Sequence, residues 1–230
     1  MTVTEQRPTD EEHINRIRRR FATVGCAQLA DAAPEFVVPL HLPAVPRNGR
    51  PRVCGPVFPV ATTDDMLPAL QALAQTPPGH VLFIHNTVTR SEAIVGDIFL
   101  TSAAVQRLGG IVVDGAVRDL TDLAVIDVPV FSTQVTFVSA RTTSQRAIDL
   151  PQTVEVAGTA VRPGDWLFGD PDGFLLLPAD RVGAVFAAGA VLRDREEALK
   201  KAMQHDGKTL ADLTHLDDFL DGTGDLGFTP

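Results

Sequence analysis

The chain is poor in reactive sulfur, in lysine and in long apolar runs. Its 230 residues hold two cysteines, Cys26 and Cys54, with no Cys-x-x-Cys. Such thiols are expected to be small buried residues rather than a disulfide framework or a nucleophile. No apolar run approaches the roughly 20 residues of a membrane span. Met1 to Asp10 lacks the apolar core of a signal peptide. A cytoplasmic protein without a membrane partner is expected. No glycine-rich dinucleotide fingerprint follows a strand, and no phosphate loop ending in Gly-Lys-Ser/Thr occurs. The Gly-x-Ser-x-Gly elbow of a hydrolase is also missing. The histidines at 13, 41, 80, 85, 205 and 215 form no His-Glu-x-x-His and do not pair with the cysteines, which argues against a histidine-based zinc site.

What is present is ordinary globular material. Hydrophobic residues at 44% and charged residues at 21% are enough apolar content to exclude wholesale disorder. Lys+Arg number 20 against 29 Asp+Glu, a net charge of −9, so a nucleic-acid backbone is not an expected partner. The run containing Arg16, Arg18, Arg19 and Arg20 shares a helical segment with Glu11 and Glu12 and reads as a solvated or subunit-facing surface.

Thr9 or Asp10 can cap a first helix to about Ala22, and a second holds Cys26 to Ala33 before Pro34. Residues 34–51 carry five prolines and read as an irregular wrapping segment. Short apolar strands then alternate with helices. Strands are expected at 53–62, 81–84, 111–113 and from 129; helices at 64–75, from Gly96 to about Leu108, and at 119–125. Beyond Val154, β-like runs are separated by Pro163-Gly164-Asp165 and Asp170-Pro171-Asp172-Gly173, the turns of antiparallel strands. A long helix follows Asp180, with Glu196/Lys200 and Glu197/Lys201 at i, i+4. The acidic tail from Asp217 reads as a loose arm or intersubunit strap. The fold class is α/β in a single domain: a helical arm at 1–22, the α/β domain at 23–205 and a C-terminal arm at 206–230.

Two segments carry chemistry. Gly96 opens a helix, so the amides of Asp97, Ile98 and Phe99 are free donors in the favourable field of a helix start. The strand ending near Val113 delivers Asp114-Gly115 and then Arg118-Asp119 to its carboxyl end, where open α/β sheets bind ligands. The Arg118 fork suits a carboxylate or polarised carbonyl, and Asp119 could hold a hard cation. Each segment alone is also compatible with a helix cap and a surface ion pair. His85, at the end of a buried strand, could face a pocket or be structural.

Together, the run GDIFLTSAAVQRLGGIVVDGAVRDL, with Gly96 and Arg118 22 residues apart, resembles the class II pyruvate aldolase family typified by 4-hydroxy-4-methyl-2-oxoglutarate aldolase. Leu29-Ala-Asp-Ala32, Pro129-Val-Phe131, Val161 to Trp166 and Gly169 to Gly173 also match. The same superfamily contains the regulator of ribonuclease E activity A. The resemblance implies an αββα-type sandwich of mixed sheets with helices, and homotrimers or homohexamers with intersubunit active sites. It implies Mg²⁺ or Mn²⁺ held by Asp119, an oxo-acid carboxylate on the backbone of Gly96 to Phe99, and Arg118 at the keto oxygen. The implied reaction is retro-aldol cleavage of a 4-hydroxy-2-oxo acid to pyruvate, with oxaloacetate decarboxylation through the same enolate. A metal route agrees with lysines only at 200, 201 and 208, outside the motif. His85, Asp114, Glu196 and Glu197 are accessory candidates; an acidic helix residue reaches a neighbouring site in some relatives. The chain departs from the family at His85-Asn86, at Ile94-Val95 and over Ser132 to Arg146, which bears on the substrate. The alternatives are a non-enzymatic regulator of a ribonuclease, or an isomerase or hydratase on another oxo acid.

Overall fold

The computed structural model describes residues 10–88, 91–143 and 146–227; Thr9, the alternative first cap, lies outside them. Helices α1 (Asp10–Phe21) and α2 (Cys26–Ala32) come first, followed by the short strands β1 (Val38–Leu40) and β2 (Val45–Pro46). The central run is β3 (Val53–Thr62), α3 (Met66–Gln75), β4 (Val81–Asn86), β5 (Ala93–Val95), α4 (Asp97–Val105), β6 (Gly110–Val117), α5 (Leu120–Leu123) and β7 (Val130–Val135). The hairpin β8 (Val154–Val156) and β9 (Thr159–Val161) leads to β10 (Trp166–Asp170) and β11 (Gly173–Leu177), then to α6 (Val182–Asp206), α7 (Leu210–Thr214) and α8 (Leu216–Leu220).

One mixed sheet runs in the order β1-β11-β10-β3-β4-β6-β7-β2, with β5 added beside β6; β8 and β9 pair separately. β3 joins its two halves. Val53 to Pro56 pair antiparallel with β10, and Val57 to Thr62 pair parallel with β4. Gly55 stands at the crossover, where a Cβ would come 2.5 Å from the Gly79 carbonyl oxygen.

Side-chain alternation shows how the halves stack. Leu82 and Ile84 of β4 pack toward α3 and α4, against Ala69, Leu73 and Leu100. Val81 and Phe83 point the other way and meet Leu167, Phe174 and Leu176 from β10 and β11; Phe131 and Phe174 lie edge-on at 5.2 Å between centroids. The outer face of β10 and β11 carries Trp166, Phe168, Leu175 and Leu177 against Ile14, Ile17, Phe21 and Phe186. Three apolar layers therefore separate helices, sheet, sheet and helices, which is the αββα arrangement. Phe168 is fully buried with Phe21, Trp166 and Phe186 around it; truncation to alanine there costs about 3–5 kcal/mol.

Several elements differ from their sequence expectation. The proline-rich segment contains β1 and β2, which form the two edges of the sheet, where proline is tolerated. β6 continues through Asp114 and Gly115 to Val117 because β4, β5 and β7 all pair with it. α4 stops at Val105 rather than Leu108; Arg107 takes φ 58°, which breaks the helical path. The tail is helical at Asp217, within α8. Arg18 is not a solvated charge: its Nε donates to the Cys54 carbonyl at 3.0 Å and Nη2 to the Gly79 carbonyl at 2.5 Å. Burial there pulls its pKa down from the usual guanidinium value. Among the described residues no helix is long and apolar enough to cross a membrane.

Candidate active site

β5 and β6 lie parallel, with Val95 opposite Val117. That register brings two motifs 22 residues apart side by side at the carboxyl ends of the strands. The Arg118 amide donates to the Val95 carbonyl at 3.0 Å, pinning one strand end to the other. Gly96 follows immediately and opens α4. It supplies no side-chain cap, so the amides left over at the helix start are available to an anion.

Asp119 adopts φ 61° and ψ 41°, a left-handed conformation that Asp tolerates better than most residues. Its carbonyl accepts from the Asp122 and Leu123 amides, both at 2.9 Å, which anchors the turn into α5. The side chain turns back on the Gly96 loop. Arg118 Nε lies 3.1 Å from Asp119 Oδ2, with the two side chains 35% and 32% exposed. A Cβ at Gly96 would sit 2.5 Å from Asp119 Oδ2 and 3.2 Å from Arg118 Nε. Glycine is required there by close approach, not by its φ of −131°.

A cavity of about 330 Å³ opens beside this cluster, walled by Gly96, Asp97, Ile98, Phe99 and Arg118 and by residues of α3 and the Ser139 segment. Asp65, just before the wall residue Met66, fixes the start of α3. It caps α3 by accepting from the Leu67 amide at 2.9 Å, and its other oxygen accepts from Thr143 Oγ1 at 2.9 Å. The Met66 amide donates to the Arg141 carbonyl at 3.2 Å, and the Ala93 amide to the Val138 carbonyl at 2.8 Å. These bonds fasten residues 138–143 along the cavity.

Of the expected site residues, Gly96, Asp97, Ile98, Phe99, Arg118 and Asp119 are brought together. His85 and Asp114 are cross-strand neighbours joined by Nδ1···Oδ2 at 2.8 Å, but neither lines the cavity. Strand alternation sends them to the other face of the sheet from Ile84 and Val113. Glu196 accepts from Gln28 Nε2 at 3.0 Å, and Glu197 accepts from Lys200 at 2.9 Å. Both belong to the opposite helical layer of the same chain. Met66, Leu70, Leu73, Ser102 and Ser139 were not foreseen. They reach the cavity only by the packing of α3, α4 and the 138–143 segment, and no local motif marks them.

Among the described residues, no three or more His, Cys, Asp or Glu side chains are grouped to hold a metal ion. The donor chemistry nevertheless fits a hard dication of the Mg²⁺ type, which takes one or two carboxylates and keeps water or substrate oxygens elsewhere. Asp119 is such a carboxylate, and the missing Cβ of Gly96 leaves space against its Oδ2.

Fold and cluster together define an α/β protein that gathers an arginine, an aspartate and an uncapped helix start at the carboxyl end of its parallel strands. Residues 26–176 match the RraA-like family model, described as Aldolase/RraA. The chain belongs to that family. It is 30% identical over 152 residues to 4-hydroxy-4-methyl-2-oxoglutarate aldolase of Thermus thermophilus, covering 65% of this chain and 90% of the relative. A protein of Halalkalibacterium halodurans that carries the same name provisionally is 29% identical over 185 residues, 80% of this chain and 87% of the relative. The solved structure of the RNA-processing inhibitor RraA from Thermus thermophilus superposes with a TM-score of 0.61 at 28% identity, covering 67% of this chain and 92% of that one.

Proposed function

We propose that the chain is a divalent-metal-dependent lyase that cleaves a 4-hydroxy-2-oxo acid to pyruvate by retro-aldol chemistry. The observation that carries this reading is the meeting of Arg118, Asp119 and the uncapped start of α4 at one strand end. The α4 amides hold the oxo-acid carboxylate, because donors and dipole both favour an anion there. The Arg118 guanidinium donates to the keto oxygen, where negative charge grows as the enolate forms. Asp119 orients Arg118 through the 3.1 Å contact and is the residue that would hold Mg²⁺ or Mn²⁺. When bound, the cation would supply further positive charge to stabilise the developing enolate. Oxaloacetate loses CO₂ through the same enolate, so decarboxylation is a second expected activity.

Large apolar side chains are exposed at and near the cavity: Ile98, on its wall, is 79% exposed, and Phe137, two residues before the wall residue Ser139, is 92% exposed. Such surface supports burial against other copies of the chain, in a homotrimer or hexamer with the site near the subunit boundary. The likeness to the RNA-processing inhibitor RraA of Thermus thermophilus favours a second reading, a non-catalytic regulator of RNA processing. A coupled pyruvate assay on 4-hydroxy-4-methyl-2-oxoglutarate, 4-hydroxy-2-oxohexanoate and oxaloacetate separates the two, release from any one of them marking the lyase. The lyase requires pyruvate release with Mg²⁺ that stops with EDTA and in Asp119→Ala; the regulator releases none.

A further inference from the structure

We propose that the cavity between α3 and α4 receives the C4 side of the substrate, and that this side is an uncharged alkyl or aryl group rather than a second carboxylate. The proposal rests on the lyase reading and names its substrate class.

Away from the Arg118 end, the cavity wall is made by Met66, Leu70, Leu73, Ile94 and Phe99. Leu73 and Ile94 are buried and packed into the core, so that side of the wall is firm. Met66 is half-buried, and its flexible thioether can adapt to groups of different shape. The polar side chains on the wall are Asp97, Ser102, Ser139 and Arg118. Among the residues lining the cavity Arg118 is the one base, and it is engaged with Asp119 and the keto end. Among the described lining residues a distal carboxylate would meet apolar groups and no cation beyond Arg118, and Asp97 adds charge of the same sign. Burying an ion unpaired is costly, whereas each buried methylene gains free energy. At about 330 Å³ the cavity lies in the range of small-molecule sites and has room beyond the three carbons of pyruvate.

The reaction balances without an oxidant or reductant. The 4-hydroxyl gives its proton to solvent hydroxide, which becomes water, C4 becomes the carbonyl of an apolar aldehyde or ketone, and the C3–C4 bond breaks. Its electron pair passes to C3 as the enolate of pyruvate, which then takes a proton.

Binding tests this separately from turnover, using oxo acids that lack the 4-hydroxyl. With Mg²⁺ present, calorimetry should find 2-oxohexanoate binding at least about tenfold more tightly than 2-oxoglutarate, the scale of discrimination an apolar pocket achieves. In turnover, 4-hydroxy-2-oxohexanoate should exceed 4-hydroxy-2-oxoglutarate in kcat/KM by a similar factor. Leu70 is 44% exposed, so Leu70→Lys should fold, as its melting temperature will verify. That variant should cut the binding preference about tenfold by offering a cation to the second carboxylate. Equal or tighter binding of 2-oxoglutarate by the unaltered protein overturns the apolar tail, whether or not pyruvate is released. An unchanged preference in a folded Leu70→Lys overturns its placement against α3. Absence of pyruvate release from both hydroxy acids, despite the predicted binding preference, strikes the lyase reading instead.

Discussion

Gly96→Ala separates a catalytic demand from a folding one. The backbone at Gly96, φ −131° and ψ −168°, is extended and open to alanine. The new Cβ, however, would lie 2.5 Å from Asp119 Oδ2. Ordinary C···O contacts begin near about 3.3 Å, so the carboxylate must retreat by roughly 0.8 Å. Arg118 Nε, 3.2 Å from the same Cβ and 3.1 Å from Asp119 Oδ2, must adjust with it. A misplacement of about 1 Å can cost about 10²-fold in rate. Replacing glycine by alanine also returns about 0.4–1 kcal/mol by restricting the unfolded chain, which offsets the local crowding. We therefore expect pyruvate release to fall about 10²-fold in kcat/KM, while the melting temperature moves by less than about 4 °C. The assay is coupled reduction of released pyruvate at saturating Mg²⁺, beside a thermal melt. A variant with undiminished kcat/KM would refute the close packing of Gly96, Arg118 and Asp119 as a requirement of the site.

Other outcomes follow from the same structure. Arg118→Ala should lower kcat/KM by about 10²–10³, yet cost little stability, since a pair about one-third exposed contributes about 0–1 kcal/mol; a thermal melt showing an unfolded variant would make Arg118 structural. Burial pushes both thiols up, with Asp170 adding to the effect at Cys26, so neither should react with a disulfide reagent at about pH 8 until the protein is unfolded. Rapid native labelling would contradict their burial. Desolvation raises the Asp165 carboxyl above its ordinary 3.8. The folded state thus holds this proton more tightly than the unfolded one. Its favourable contribution is complete below the ordinary value and is lost as pH rises through the folded value. Asp165→Asn should consequently gain in melting temperature over the parent at about pH 7 and not at about pH 3; a gain independent of pH would contradict that assignment.

Buried parallel strands were legible because they read as continuous apolar runs: Val81 to Ile84 and Ile111 to Val113 are all fully buried. The Arg118-Asp119 motif was legible for the same reason, since such a run leads into it, and Gly96 was legible as the start of a helix. What failed was short or nonlocal. β5 is three residues long and has no periodicity of its own, yet its register with β6 places Gly96 beside Arg118. Arg18 sits in a charged run that reads as solvated, and only the tertiary fold presents it with the carbonyls of Cys54 and Gly79. The cavity wall from Met66 to Leu73 belongs to a helix whose pattern announces a core face, not a binding face. His85 and Asp114 pair because β4 and β6 are in register at those positions, a relation that strand spacing in sequence does not reveal.

The enolate is the common step behind cleavage and decarboxylation, and it can be observed without knowing the C4 group. Proton NMR of pyruvate in D₂O reads exchange of its methyl protons directly. With Mg²⁺ the protein should accelerate that exchange well above the protein-free rate, and EDTA, Arg118→Ala and Asp119→Ala should each abolish the acceleration. Exchange no faster than in buffer with Mg²⁺, from folded protein, would contradict an enolate-forming site at Gly96, Arg118 and Asp119.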